Sequence, residues 1–134
     1  MKRIQTLFMM LFITALAVSG TNSLNAQSVS VTDLKVEYRK NPIGIDIENP
    51  RFSWEVQSNE RGTGQSAYQI QVSGRREALN NAGQKEWDPG KISESQSVNI
   101  EYNGTPLESG KTYYWRVRVW DQSGNASKWS NIGY

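Results

Sequence analysis

From residue 113 to residue 120 the chain alternates without a break. The odd positions Tyr113, Trp115, Val117 and Val119 are apolar, and the even positions Tyr114, Arg116, Arg118 and Trp120 are mixed. A period of two marks a β-strand with one face in a core, and β-branched and aromatic residues suit a pleated surface. A helix would scatter both sets around its circumference. Leu107 stands six residues before Tyr113, across the turn Glu108-Ser-Gly-Lys111. That spacing lets the tyrosine hydroxyl fold back and satisfy a backbone group of the turn, the arrangement called a tyrosine corner.

Shorter runs repeat the alternation on either side. Residues 31–38 predict a first, edge strand, and Phe52, Trp54 and Val56 share one side of a second. Tyr68, Ile70 and Val72 form a third, with Gln69 and Gln71 facing water; 97–102 give a further strand, and a last one begins at Ala126. Residues 58–66 read as a loop. The helical turn Arg76-Glu-Ala-Leu79 is stopped by Asn80-Asn-Ala-Gly83, so 75–85 reads as a connection. Trp87-Asp-Pro-Gly90 is a tight reversal anchored by one aromatic, and Ile43, Ile45 and Ile47 form an apolar island before Pro50. The prediction is an all-β, antiparallel β-sandwich, immunoglobulin-like in architecture, of about seven strands, with Trp54, Trp115 and Tyr113 in its core.

Composition bears on function once the start of the chain is set apart. Lys2-Arg3, the apolar run 6–18 and a small, polar stretch ending Leu24-Asn25-Ala26 have the three parts of a secretory signal. The apolar run is 13 residues long, short of the roughly 20 that a membrane span needs. The expectation is cleavage after Ala26 and export to the periplasm or the exterior. Residues 1–26 hold two of the 15 basic residues and none of the 13 acidic ones, so 27–134 carries 13 of each. A neutral domain offers no charge attraction to nucleic acid or an anionic membrane. Without Cys or His, a disulfide framework and the usual zinc and thiolate sites are excluded, and no cofactor is expected. Residues 27–134 suffice for one domain.

The combination of Trp54, the Tyr68-x-Ile70-x-Val72 strand, Leu107 with Tyr113, and Trp129-Ser130 opening the last strand resembles the fibronectin type III superfamily. More specifically, Asn41-Pro-Ile-Gly-Ile-Asp46, Pro50-Arg-Phe-Ser-Trp54, Gln65-Ser-Ala-Tyr-Gln-Ile-Gln-Val72, Trp87-Asp-Pro-Gly-Lys91 and Tyr113-Tyr-Trp-Arg-Val-Arg-Val-Trp-Asp121 together resemble the N-terminal β-sandwich module of bacterial α-L-rhamnosidases, the inverting glycoside hydrolases of family 78. The resemblance implies a non-catalytic accessory module that packs against further sandwich modules and an (α/α)-barrel holding the catalytic carboxylates. It implies remaining rhamnosidase domains as partners, in cis or as a split gene product. The end at Tyr134, before the last strand is expected to be complete, reads as a truncated coding sequence.

Inverting glycosidases need two carboxyl groups about 6.5–9.5 Å apart, one raised in pKa by an apolar pocket. The acids Asp88, Glu94, Glu101 and Asp121 fall in turns or on water-facing positions, so no catalytic residue is assigned. A Ser nucleophile would need a Lys partner that no local arrangement supplies. The candidate functional residues are Tyr114, Arg116, Arg118 and Trp120 on the even face of the alternating strand, with Trp87, as an interface or a sugar-stacking platform. The competing reading is an ordinary sheet face of aromatic rings covered by Arg stems. A stand-alone module binding rhamnose-containing glycans, or an extracellular scaffold, is the alternative function. Asn103-Gly-Thr105 and Asn125-Ala-Ser127 match the N-glycosylation pattern, and a bacterial source implies no glycan there.

Overall fold

The computed structural model of the protein describes residues 29–134, and the signal reading of 1–26 lies outside them. Among the described residues, five regular strands form two antiparallel sheets. One has the order β1 (Val29–Val36), β2 (Arg51–Ser58), β4 (Ile100–Glu101); the other pairs β3 (Ala67–Ser73) with β5 (Tyr114–Trp120). Two irregular segments widen the second sheet. Trp87 and Ile92 bridge to Val72 and Tyr68 along the free edge of β3, while Ala126 and Gly133 bridge to Trp120 and Trp115 along that of β5. The final segment therefore runs the length of β5, where the sequence predicts a strand that stops short.

The inner faces of the two sheets meet as the alternation predicts. Phe52 and Trp54 face Tyr68, Ile70, Val72, Trp115, Val117 and Val119, all at most 4% exposed. Phe52 and Trp115 pack edge to face with ring centroids 4.7 Å apart, and Trp54 and Tyr68 lie 5.2 Å apart. The indole N–H of Trp54 would be stranded in this core. It donates instead to Gln65 Oε1 at 2.9 Å, and the Gln65 amide donates in turn to the carbonyls of Glu94 and Gln96. The tyrosine corner is present: the Tyr113 hydroxyl accepts a hydrogen bond from the Glu108 N–H at 2.8 Å. A second tyrosine closes another turn, Tyr102 donating its hydroxyl proton to the Thr105 carbonyl at 2.5 Å.

Five sequence expectations need correction. Trp87 is in the core, with its ring centroid 5.3 Å from that of Tyr102, because its pairing with Val72 turns the side chain inward. Gln71 is buried, since the face expected to meet water is covered. Residues Arg76–Asn80 form a 3-10 helix whose Ala78 and Leu79 are buried; two inward apolar side chains hold a turn that has no side-chain cap. Val98 should share a face with Ile100, yet it is half exposed. The left-handed backbone at Asn99 (φ 59°) breaks the alternation there. The first strand also starts and ends two residues earlier than predicted, and a bulge between Thr32 and Lys35 interrupts its register.

Candidate functional site

The register of β3 on β5 decides what lies on the even face. Gln69 stands opposite Arg118, Gln71 opposite Arg116, Ser73 opposite Tyr114 and Ala67 opposite Trp120. Arg118 donates through Nε and Nη2 to Gln69 Oε1 at 3.1 and 2.8 Å, and Arg116 Nε donates to Gln71 Oε1 at 2.9 Å. Both glutamine amides then donate to one carboxylate, Gln69 to Asp88 Oδ1 at 2.9 Å and Gln71 to Asp88 Oδ2 at 2.7 Å. Partial burial would raise the Asp88 pKa, but these two hydrogen bonds and one from the Gly90 N–H outweigh it and hold the group below its ordinary value.

Aromatic rings interleave with the cations. Arg116 lies 4.2 Å and Arg118 4.6 Å from the centroid of the Trp129 ring; Arg118 lies 4.9 Å and Lys91 4.8 Å from that of Trp120. The result is a ladder across the sheet, from Trp129 through the two arginines to Trp120 and Lys91. Burial and the neighbouring Arg118 charge lower the pKa of Arg116, which nonetheless stays protonated at any ordinary pH.

Trp129 is held over the strand by serines. Ser127 Oγ accepts from the Val119 N–H and Ser130 Oγ from the Val117 N–H, each at 3.0 Å. The backbone N–H groups of the same two serines donate to the carbonyls of Val119 and Val117. Two hydroxyls thus stand where strand carbonyls would be, so 126–133 follows β5 without regular strand geometry.

Of the sequence candidates, the structure brings Arg116, Arg118 and Trp120 together, all half-buried. Tyr114 lies at the other end of the face and lines a separate cleft, and Trp87 belongs to the core. The ring of Trp120 already carries two cations. Sequence reasoning missed Gln69, Gln71, Asp88 and Lys91 as parts of this face and left the packing of Trp129 open. Period two does place Gln69 and Gln71 on one side of β3, but nothing local reveals the strand that pairs with it.

The carboxylates whose pKa values shift here all move downward. Asp33 is held at about 2 by hydrogen bonds from Lys35 and then Lys40, and Glu37 is lowered by Arg51. Asp121 is buried as a turn cap, accepting at Oδ1 from the N–H groups of Ser123 and Asn125. A general acid needs the opposite shift.

The cleft has a volume of about 980 Å³ and opens at the tyrosine-corner end of the sandwich. Val36 and Phe52 of one sheet and Val72 and Trp115 of the other reach it, and Ile43, Ile47, Tyr113 and Tyr134 line its walls.

Residues 31–134 match the family described as Rha78A-like, N-terminal immunoglobulin domain. An α-L-rhamnosidase of Streptomyces avermitilis is 42% identical over 103 residues, covering 77% of this chain and 10% of that protein. One from Formosa agariphila is 33% identical over 135 residues, covering all of this chain and 14% of that protein. The crystal structure of the Streptomyces avermitilis α-L-rhamnosidase complexed with L-rhamnose superposes with a TM-score of 0.75 at 40% identity, over 79% of this chain and 10% of that one. The chain spans 10–14% of the length of the curated relatives it matches.

Proposed function

We propose a supporting, non-catalytic role for this chain, which belongs to the Rha78A-like N-terminal immunoglobulin domains: it is the N-terminal accessory module of an exported α-L-rhamnosidase acting on terminal α-L-rhamnosides. The observation that carries this reading is the span of the match. One sandwich, 31–134, corresponds to one N-terminal module that makes up a small part of much longer relatives. Its task is then mechanical, packing against and stabilising the part of the enzyme that carries the chemistry. Export rests on the tripartite pattern of residues 1–26.

Three measurements test this. The purified chain should release no rhamnose from an aryl α-L-rhamnoside above a heat-treated control, and turnover by it would overturn the reading. Affinity electrophoresis through rhamnose-containing polysaccharide should show no retardation. Retardation abolished by Trp120→Ala would favour a carbohydrate-binding module instead. Mass spectrometry of the exported chain should find Gln27 at its N-terminus.

A further inference from the structure

The connection between β1 and β2 is long for neighbouring antiparallel strands, yet it is tied shut at its base. The Glu37 N–H donates to the Arg51 carbonyl at 2.9 Å, and the Arg51 N–H and Nη2 donate to the two oxygens of the Glu37 carboxylate, each at 2.7 Å. Ile45 packs against the core from the tip of this loop, whereas Gly44, with φ 71°, turns the chain so that Ile43 stands 93% exposed. Ile47 is 47% exposed and Tyr134 48%.

Isolated apolar side chains on a surface need no explanation. These three line the same cleft, beside Leu107 and Tyr113, so they form one apolar patch at the mouth of an open core. The even face of β5, by contrast, already has its rings and cations packed on one another. The rim is of mixed charge, with Asp46, Glu48 and Arg76 exposed on it and Lys111 paired with Glu108.

Tyr134 is itself part of this cleft. Its backbone N–H donates to Asn41 Oδ1 at 3.1 Å, which ties it to the start of the same loop. In the relatives this module is N-terminal and accounts for 10–14% of the polypeptide, and the match to the Formosa agariphila protein spans the whole of this chain, so there the polypeptide continues past the position of Tyr134, beside the cleft. We infer that the cleft formed by the 42–48 loop, the tyrosine corner and Tyr134 is the docking surface for the following domain of the rhamnosidase polypeptide. That domain would insert an aliphatic or aromatic side chain between Ile43, Ile47 and Tyr134. The inference rests on the accessory-module reading and names the surface through which it acts.

The test joins residues 27–134 to the rest of the Streptomyces avermitilis α-L-rhamnosidase in place of its own matching module. The hybrid is expected to melt in one calorimetric transition. Ile43→Asp with Ile47→Asp should split that transition in two, and Ile43→Ser with Ile47→Ser should do so more weakly. Glu60→Gln, exposed in the loop after β2 and away from the cleft, should leave it single. Because both isoleucines are exposed, the near-ultraviolet circular dichroism of the module itself should not change. A transition that stays single in both isoleucine variants overturns the cleft and leaves the accessory reading standing. A hybrid no more stable than the enzyme stripped of its module overturns the accessory reading. A concentration-dependent dimer of the 134-residue chain, abolished by Ile43→Asp in light scattering, makes the occupant a second copy and overturns the inference.

Discussion

Several single residues carry more than their type announces. Gly104 is one: a Cβ there would fall on the Glu86 carbonyl oxygen and within 2.6 Å of both Trp87 Cβ and the Tyr102 hydroxyl. Gly104→Ala should therefore cost about 1–3 kcal/mol by overpacking, read as a lower urea midpoint at unchanged slope. Gln65 is another, because the buried Trp54 N–H has it as a partner. Gln65→Leu should cost about 1–3 kcal/mol, the penalty for stranding a buried donor, whereas exposed Gln57→Leu on β2 should stay within about 0.5 kcal/mol. Trp54 and Trp115 were legible as core from alternation alone. Gln65 was not, since a glutamine in a glycine-containing loop looks like any solvated residue until the fold places an indole beside it.

Among the elements, β5 and its last partner depend on two hydroxyls. Ser127→Ala and Ser130→Ala each remove the acceptor of a backbone N–H, at Val119 and Val117. Each should cost about 1–3 kcal/mol and loosen Trp129 from the arginines. The expected readout is a red shift of tryptophan emission before global unfolding, absent in Ser109→Ala. Strand identity was legible here: the alternation of β2, β3 and β5 is a local property that survives in any register. The 3-10 turn at 76–80 was missed because Leu79 is held by tertiary packing against the second sheet rather than by capping. Val98 was misplaced because one left-handed residue inverts a period-two pattern, and Asn tolerates that backbone without announcing it.

For the whole molecule, acid and alkali should act at different ends of the pH scale. Lys35 and Lys40 hold Asp33 at about 2, below the roughly 3.9 of an unfolded chain. A pKa lowered on folding gives stability that is present above about pH 4 and lost as pH falls through about 2. Asp33→Asn should flatten that part of the acid limb in urea titrations. Burial pushes Tyr102 up to about 12, above the roughly 10 of free tyrosine. The sign reverses, so its contribution is complete below about pH 10 and lost as pH rises through about 12. Absorbance near 295 nm should show this phenolate appearing together with unfolding. The sequence by itself determined the sandwich, its aromatic core and the tyrosine corner, because periodicity and turn chemistry are local and each run carries its own record. Tertiary structure alone decided that Gln69, Gln71 and Asp88 brace the arginines of the even face, that Trp87 turns inward, and that Ile43, Ile47 and Tyr134 meet at one cleft. The physical reason is common to all three: strand register and the meeting of distant loops depend on pairings between segments far apart in the chain, and no single segment encodes its partner.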